Sequence, residues 1–142
     1  MRICPYISFN GNCEEAVRFY EKALNAKAEI MRYKDAPPED GSALPEGTED
    51  FVMHTWLKVG DDPIGTIGMA DTLPGNECSY GDGVVIHIGL ESADAVKAVF
   101  EVLKEGGEVY MELQQTFFSE WYGMVKDKFG VYWQILQYSP QQ

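Results

Sequence analysis

The chain has little cysteine and little histidine to build chemistry from. Its three cysteines, Cys4, Cys13 and Cys78, are odd in number and irregularly spaced. No CxxC pair exists, so neither a zinc knuckle nor a disulfide frame is supported. A reducing compartment, and hence a cytoplasmic location, is the expectation. Long apolar runs are also missing. The longest strand-like one, Val84-Val85-Ile86-His87-Ile88-Gly89-Leu90, is well short of the ~20 residues a membrane helix needs. The start, Met1-Arg2-Ile3-Cys4-Pro5, lacks the apolar stretch of a signal peptide. Positive charge is scarce, with 11 Lys and Arg against 23 Asp and Glu. A surface of net charge −12 repels phosphate backbones, which argues against a nucleic-acid partner. Neither GxGxxG nor a P-loop occurs, so nucleotide binding has no support. The GxSxG elbow of Ser hydrolases is missing too. The two histidines, His54 and His87, show no HxH or HxxxH spacing.

What is present is a repeat. Ala16-Val17-Arg18 opens a stretch that runs through Leu24 to Glu29-Ile30, and Ala95-Val96-Lys97 opens another that runs through Leu103 to Glu108-Val109. The offset, 95 − 16 = 79, is about half of the 142 residues. Such a period excludes a solenoid and suggests two copies of one module. Either half alone would bury too little surface to be stable, so one domain spanning 1–142 is expected, with modules at about 1–75 and 82–142.

The pattern of each half is strand, helix, then three strands. Ile3 to Phe9 reads as a strand. Asn12 and Glu15 resemble a capping box, and Cys13, Ala16, Val17, Tyr20 and Leu24 form a helical stripe. Ala28 to Tyr33 follows as a strand, and Asp35 to Thr48, rich in Pro and Gly, as a solvated acidic loop. Phe51 to Val59 is the cleanest strand: Phe51, Met53, Thr55, Leu57 and Val59 fall on one face, and Val52, His54, Trp56 and Lys58 on the other. A turn at Gly60-Asp61-Asp62 leads to a Gly-interrupted strand, Ile64 to Asp71. The second half offers strand Val84 to Leu90, an N-cap at Ser92 with Asp94 in the first turn, and the stripe Val96, Val99, Phe100 and Leu103. Gly106-Gly107 ends that helix. Strands Glu108 to Leu113, Trp121 to Lys126 and Val131 to Tyr138 complete it, the last two joined by a turn at Asp127-Lys128-Phe129-Gly130. The local pattern gives an α+β domain of two β-α-β-β-β modules with mostly antiparallel pairing.

That doubled order resembles the vicinal oxygen chelate superfamily of glyoxalases, extradiol dioxygenases and bleomycin-resistance proteins. Within it the chain is similar to the PhnB-like group. The similarity is carried by Pro5-Tyr6-Ile7-Ser8-Phe9-Asn10-Gly11-Asn12-Cys13-Glu14-Glu15-Ala16, by His54, by Asp71 with Pro74-Gly75, by Gln115-Thr116-Phe117-Phe118, and by Tyr122-Gly123 through Asp127-Lys128-Phe129-Gly130-Val131 to Trp133. The resemblance implies an α+β fold of two tandem β-α-β-β-β modules forming a curved mixed sheet around a cavity, commonly in a homodimer. In metal-dependent members, first and last strands of each module supply His, Gln and Glu ligands to a divalent ion that grips vicinal oxygens. The same register here falls on Pro5, Met69, Val85 and Gln134, of which Gln134 alone suits a hard ion. The metal quartet is therefore expected to be lost, and no cofactor is expected. The alternative is a divalent metal on His54, His87, Asp71 and Gln134. The methyltransferase label once given to the group finds no support, because no Gly-rich strand-to-helix loop occurs.

The residues expected to contact a ligand are His54, Trp56, Asp71, Gln115, Trp121, Tyr122 and Gln134. Polar-tipped aromatics of this kind are frequent in ligand cavities. Plainer roles compete. His54 could be a hydrogen-bonded strand histidine, His87 a satisfied core histidine, Asp71 and Asp127 turn residues, and Phe117, Phe118, Phe129 and Trp133 packing. Three functions follow: a metal-free small-molecule binding protein, a metal-dependent lyase or related enzyme, or a ligand-free dimeric module.

Overall fold

Both repeated helices bury one stripe against a four-stranded sheet. The computed structural model describes residues 1, 3–37, 43–60 and 65–138, which fall into two units, Met1–Ser79 and Tyr80–Gln142. The first contains β1 (Tyr6–Phe9), α1 (Cys13–Leu24), β2 (Ala26–Arg32), a 3-10 turn at Tyr33–Asp35, β3 (Val52–Val59) and β4 (Gly65–Asp71). The second contains β5 (Ile86–Leu90), α2 (Ala93–Leu103), β6 (Glu108–Gln114), β7 (Tyr122–Lys126) and β8 (Tyr132–Gln137). The sheet orders are β1-β4-β3-β2 and β5-β8-β7-β6. In each, the first strand joins the last in parallel and the other pairs are antiparallel. The fold is a two-module α+β fold. Among the described residues no helix is long and apolar enough to cross a membrane.

Helix α1 buries Cys13, Ala16, Val17, Tyr20 and Leu24, and α2 buries Val96, Val99, Phe100 and Leu103. These are the stripes that the helical spacing selects. Ser92 caps α2 by accepting from the Ala95 N–H at 3.2 Å. The expected capping box of α1 does not form. The Asn12 side chain makes no cap bond. Instead the carboxylate of Asp71, at the end of β4, accepts from the N–H groups of Gly11 and Cys13. α1 ends at Asn25, whose left-handed conformation (φ 48°) closes the last turn by an N–H bond to Glu21 O.

Other strand boundaries and faces depart from the sequence pattern. β1 begins at Tyr6, and Ile3 before it is exposed. β5 begins at Ile86, and Val84 is 84% exposed. In β3 the pairs Met31↔His54 and Arg32↔Val52 set two steps of one strand against one of the other. Met53 is thus an extra, bulged residue, and a bulge reverses the alternation beyond it. Val52 moves to the core side with Thr55 and Leu57 and is fully buried. The expected turn at Asp61-Asp62, Ile64, and positions 38–42 of the acidic loop lie outside the described residues.

One ion pair ties β2 to α1. Arg32 Nη1 and Nη2 donate to the two Glu14 carboxylate oxygens at 2.8 and 2.7 Å, and Nη1 also donates to Asp50 O. The hydrogen bond from Arg32 holds the Glu14 carboxyl below its ordinary value of 4.5. A depressed carboxyl adds stability above its unfolded pKa and loses it as the pH falls through the folded one. Glu14 is substantially exposed, so the pair contributes only about 0.5–1 kcal/mol. Glu14→Gln is therefore expected to lower stability by that amount at pH 7. Urea titrations should show the gap to wild type closing as the pH falls below 4.5. A gap that persists in acid would assign the effect to packing.

Candidate functional site

The first sheet has one dry face and one open face. Leu57, Ile67 and Met69 are buried on the side that packs against α1. On the other side the register sets a row across four strands: Tyr6 beside Gly68, Gly68 beside Trp56, and Trp56 beside Glu29. One step along β3, His54 faces Met31, and one step the other way Lys58 faces Lys27. These residues share the face because directly opposed and alternate residues point the same way.

The centre of the face is a cluster of three rings. Tyr6 OH lies 2.9 Å from His54 Nδ1, and the two rings stack at 5.8 Å with 21° between their planes. Trp56 meets His54 edge-on at 4.8 Å and Tyr6 at 6.2 Å. Burial, with Cys13 and Tyr33 nearby, holds the Tyr6 phenol above its ordinary pKa. The phenol and the imidazole Nδ1 share one hydrogen bond, whose direction follows the His54 tautomer. Gly68 makes the cluster possible. A Cβ there would overlap Tyr6 Cδ2 and stand 2.9 Å from Trp56 Cζ3. A strand-interior glycine marks such a close approach, and the Gly-interrupted pattern of Ile64 to Asp71 was the signal in the sequence. Beside the cluster lies a concavity of about 490 Å³, lined by Lys27, Glu29, Met31, His54, Trp56 and Lys58 among others. Ligand pockets usually hold roughly 300–1,000 Å³.

Of the residues expected to form a site, His54 and Trp56 are brought together here. Asp71 is not available to a ligand or a metal. Its Oδ1 accepts from Gly11 and Cys13 and its Oδ2 from Val52, all at 2.9 Å. Gln115 belongs to a separate concavity of about 430 Å³ in the second unit, with Phe117, Phe118, Gln137 and Tyr138. Tyr122 packs its ring against Phe118, and Trp121 lies under the Lys97 ammonium at 4.3 Å. Phe117 is fully exposed and His87 is exposed, which corrects their packing and core readings. Cys13 is no nucleophile, since burial, reinforced by the Asp71 carboxylate, pushes its thiol far up.

The metal register also needs correcting. β5 pairs Leu90 with Gln137, and three residues earlier His87 with Gln134. β1 pairs Phe9 with Asp71, and three residues earlier Tyr6 with Gly68. The matching positions are thus Tyr6, Gly68, His87 and Gln134, not Pro5, Met69 and Val85. Met69 is fully buried on the helix side, and Val85 lies outside β5. In the second unit His87 Nδ1 meets Gln134 Oε1 at 3.1 Å, which supplies two donors. The first unit offers a phenol and a glycine. Among the described residues no three His, Cys, Asp or Glu side chains gather as a metal set requires. The donors within either unit do not fit a divalent ion.

Comparison with known proteins places this geometry. The family described as 3-demethylubiquinone-9 3-methyltransferase matches residues 1–136. Protein YjdN of Escherichia coli (strain K12) is 29% identical over 142 residues, covering 95% of this chain and 94% of its own. The crystal structure of PA1353 from Pseudomonas aeruginosa is 33% identical with a TM-score of 0.82, over 96% and 97% of the two chains. A PhnB protein from Bacillus cereus is 22% identical with a TM-score of 0.74, over 97% and 100%, and shares the fold. More distant structures of the glyoxalase and resistance-protein kind share the fold as well.

Proposed function

The chain belongs to the 3-demethylubiquinone-9 3-methyltransferase family, the PhnB-like group of the vicinal oxygen chelate superfamily, and we propose that it binds a small organic molecule on the Tyr6–His54–Trp56 face of its first sheet. The observation that carries this reading is the ring cluster closed over Gly68. A strand that gives up its side chain so that two aromatic rings can meet loses packing unless the rings have a use. The exposed edge of Trp56 and the adjoining concavity offer an apolar wall with a few polar groups, the usual make-up of a ligand site. Methyl transfer is not favoured, because neither sheet is the doubly wound parallel kind that holds the methyl donor behind a Gly-rich turn.

A second reading rests on the Tyr6–His54 hydrogen bond. In the tautomer in which the phenol donates to Nδ1, Nε2 bears the imidazole proton, and the pair could pass protons to a bound molecule. Tyr6→Phe separates the two: binding should survive it and proton transfer should not.

Intrinsic fluorescence tests the binding reading. A ligand that quenches the wild-type emission should lose at least half of its quenching in Trp56→Phe. In Gly68→Ala the added methyl forces the rings apart, and affinity should fall about tenfold. Quenching unchanged in both variants would place the site elsewhere.

A further inference from the structure

We propose that the ligand of this face is a small organic monoanion, its charged head held between Lys27 and Lys58 and its planar body laid on Trp56. The inference deepens the binding reading above and rests on it. The register between β2 and β3 sets Lys27 directly opposite Lys58. Side chains so placed carry their Cβ atoms about 5 Å apart, and like charges there repel. In a chain with 23 acidic and 11 basic residues, a carboxylate facing each lysine would be the stabilising choice. That choice is made at Arg18, Arg32, Lys34 and Lys104, each within ion-pair distance of a carboxylate, while Lys97 and Lys126 lie over aromatic rings instead. Among the described residues Lys27 and Lys58 pair with none, and both are exposed. Two cations thus face one another at one end of a concavity, next to an indole.

The charge count sets the class of ligand. Glu29, opposite Trp56, is the acidic residue among those lining the concavity. Two lysines and one glutamate leave a net charge of +1, which suits a single negative charge. The order along the sheet sets the orientation. Running along β3, Lys58 comes first, then Trp56, then His54. An acid whose anionic group meets the lysines therefore lays its next atoms on the indole and its far end near Met31 and the Tyr6–His54 pair. At these distances the local cations dominate the field, because charges farther than ~8 Å are largely screened at physiological salt.

The test uses three naphthyl probes of one shape: naphthoate, the neutral naphthamide and the cationic naphthylmethylammonium. Titration calorimetry on the full chain should show naphthoate binding at least about tenfold more tightly than naphthamide, with the ammonium weakest. That preference should shrink with added salt. Lys27→Gln/Lys58→Gln should bring the naphthoate-to-naphthamide ratio to about one. A urea midpoint close to that of the wild type shows that the variant folds. Equal binding of naphthoate and naphthamide by wild type, lost in Trp56→Ala, would overturn the anion assignment and leave the binding reading standing. Tighter binding of the ammonium would assign the face to Glu29 and overturn it equally. Binding of none of the three would overturn both.

Discussion

Asp71→Ala is expected to lose about 4 kcal/mol of stability, a large share of the roughly 5–15 kcal/mol that holds a domain folded. The carboxylate is 4% exposed and accepts three backbone N–H bonds, from Gly11, Cys13 and Val52. Those donors come from the entry to α1 and the start of β3, and Asp71 itself ends β4. One side chain thus joins three segments through their backbone N–H groups. Truncation leaves buried N–H groups unpaired, each costing about 1–3 kcal/mol, partly offset where water enters. Asp71→Asn should fall between the two, because one carboxylate oxygen becomes an NH₂ that faces a donor. Urea unfolding measures the loss, and amide exchange at Gly11, Cys13 and Val52 locates it. A loss below about 1 kcal/mol, with those amides still protected, would show that the backbone finds other partners.

Asp127→Ala is expected to cost about 3 kcal/mol in the second unit. Its Oδ1 accepts from Phe129 N at 2.8 Å and Val131 N at 3.1 Å, and its Oδ2 from Trp133 Nε1 at 2.8 Å. The first two bonds shape the turn between β7 and β8, in which Gly130 adopts φ 92°. The third fixes the indole of a fully buried tryptophan. Without Asp127 the indole N–H loses the carboxylate acceptor at 2.8 Å, which favours a shift of Trp133 or entry of water. The signature is early exchange of the Trp133 indole proton, together with the drop in urea midpoint. A protected indole proton in the variant would contradict the assignment.

These two carboxylates show where a sequence can be read and where it cannot. Asp127 sits beside Gly130, so a turn role was legible from neighbours within four positions. Its bond to the Trp133 indole, six residues on, was not. Asp71 bonds residues 58, 60 and 19 positions away. Nothing local distinguishes such a residue from a ligand-binding acid. The two modules were legible because helical stripes are local and periodic, and both stripes are buried as spaced. The site was legible in part. The mixed face of β3 pointed to His54 and Trp56, but a bulge at Met53 removed Val52 from it. Tyr6, Lys27 and Glu29 join the face only through strand pairing.

The metal register that the resemblance implied shifts by one residue at Pro5 and Met69 and by two at Val85. The helices repeat at 95 − 16 = 79, whereas Tyr6 matches His87 at an offset of 87 − 6 = 81. Gly68 matches Gln134 at 134 − 68 = 66, because the second unit joins its strands by a shorter path. A helix offset cannot be carried onto strands when the loops between them differ in length. The consequence is physical as well as formal. At the two matching pairs, one unit holds an imidazole and an amide, and the other a phenol and a glycine. The glycine is what lets the aromatic cluster close, so the first unit has exchanged a donor position for a wall of rings.

The central claim is that this wall receives a ligand, and the chain's three tryptophans allow a direct test. Trp56 lies on the open face of the first sheet, Trp121 under Lys97 in the second unit, and Trp133 in the core beside Asp127. Their indole N–H signals are separately visible in a nitrogen–proton correlation spectrum, assigned by single Trp→Phe substitutions. Titration with naphthoate or naphthamide should move the Trp56 signal saturably and leave Trp121 and Trp133 in place. Movement of Trp121 with Trp56 still would put binding in the second unit and contradict the account.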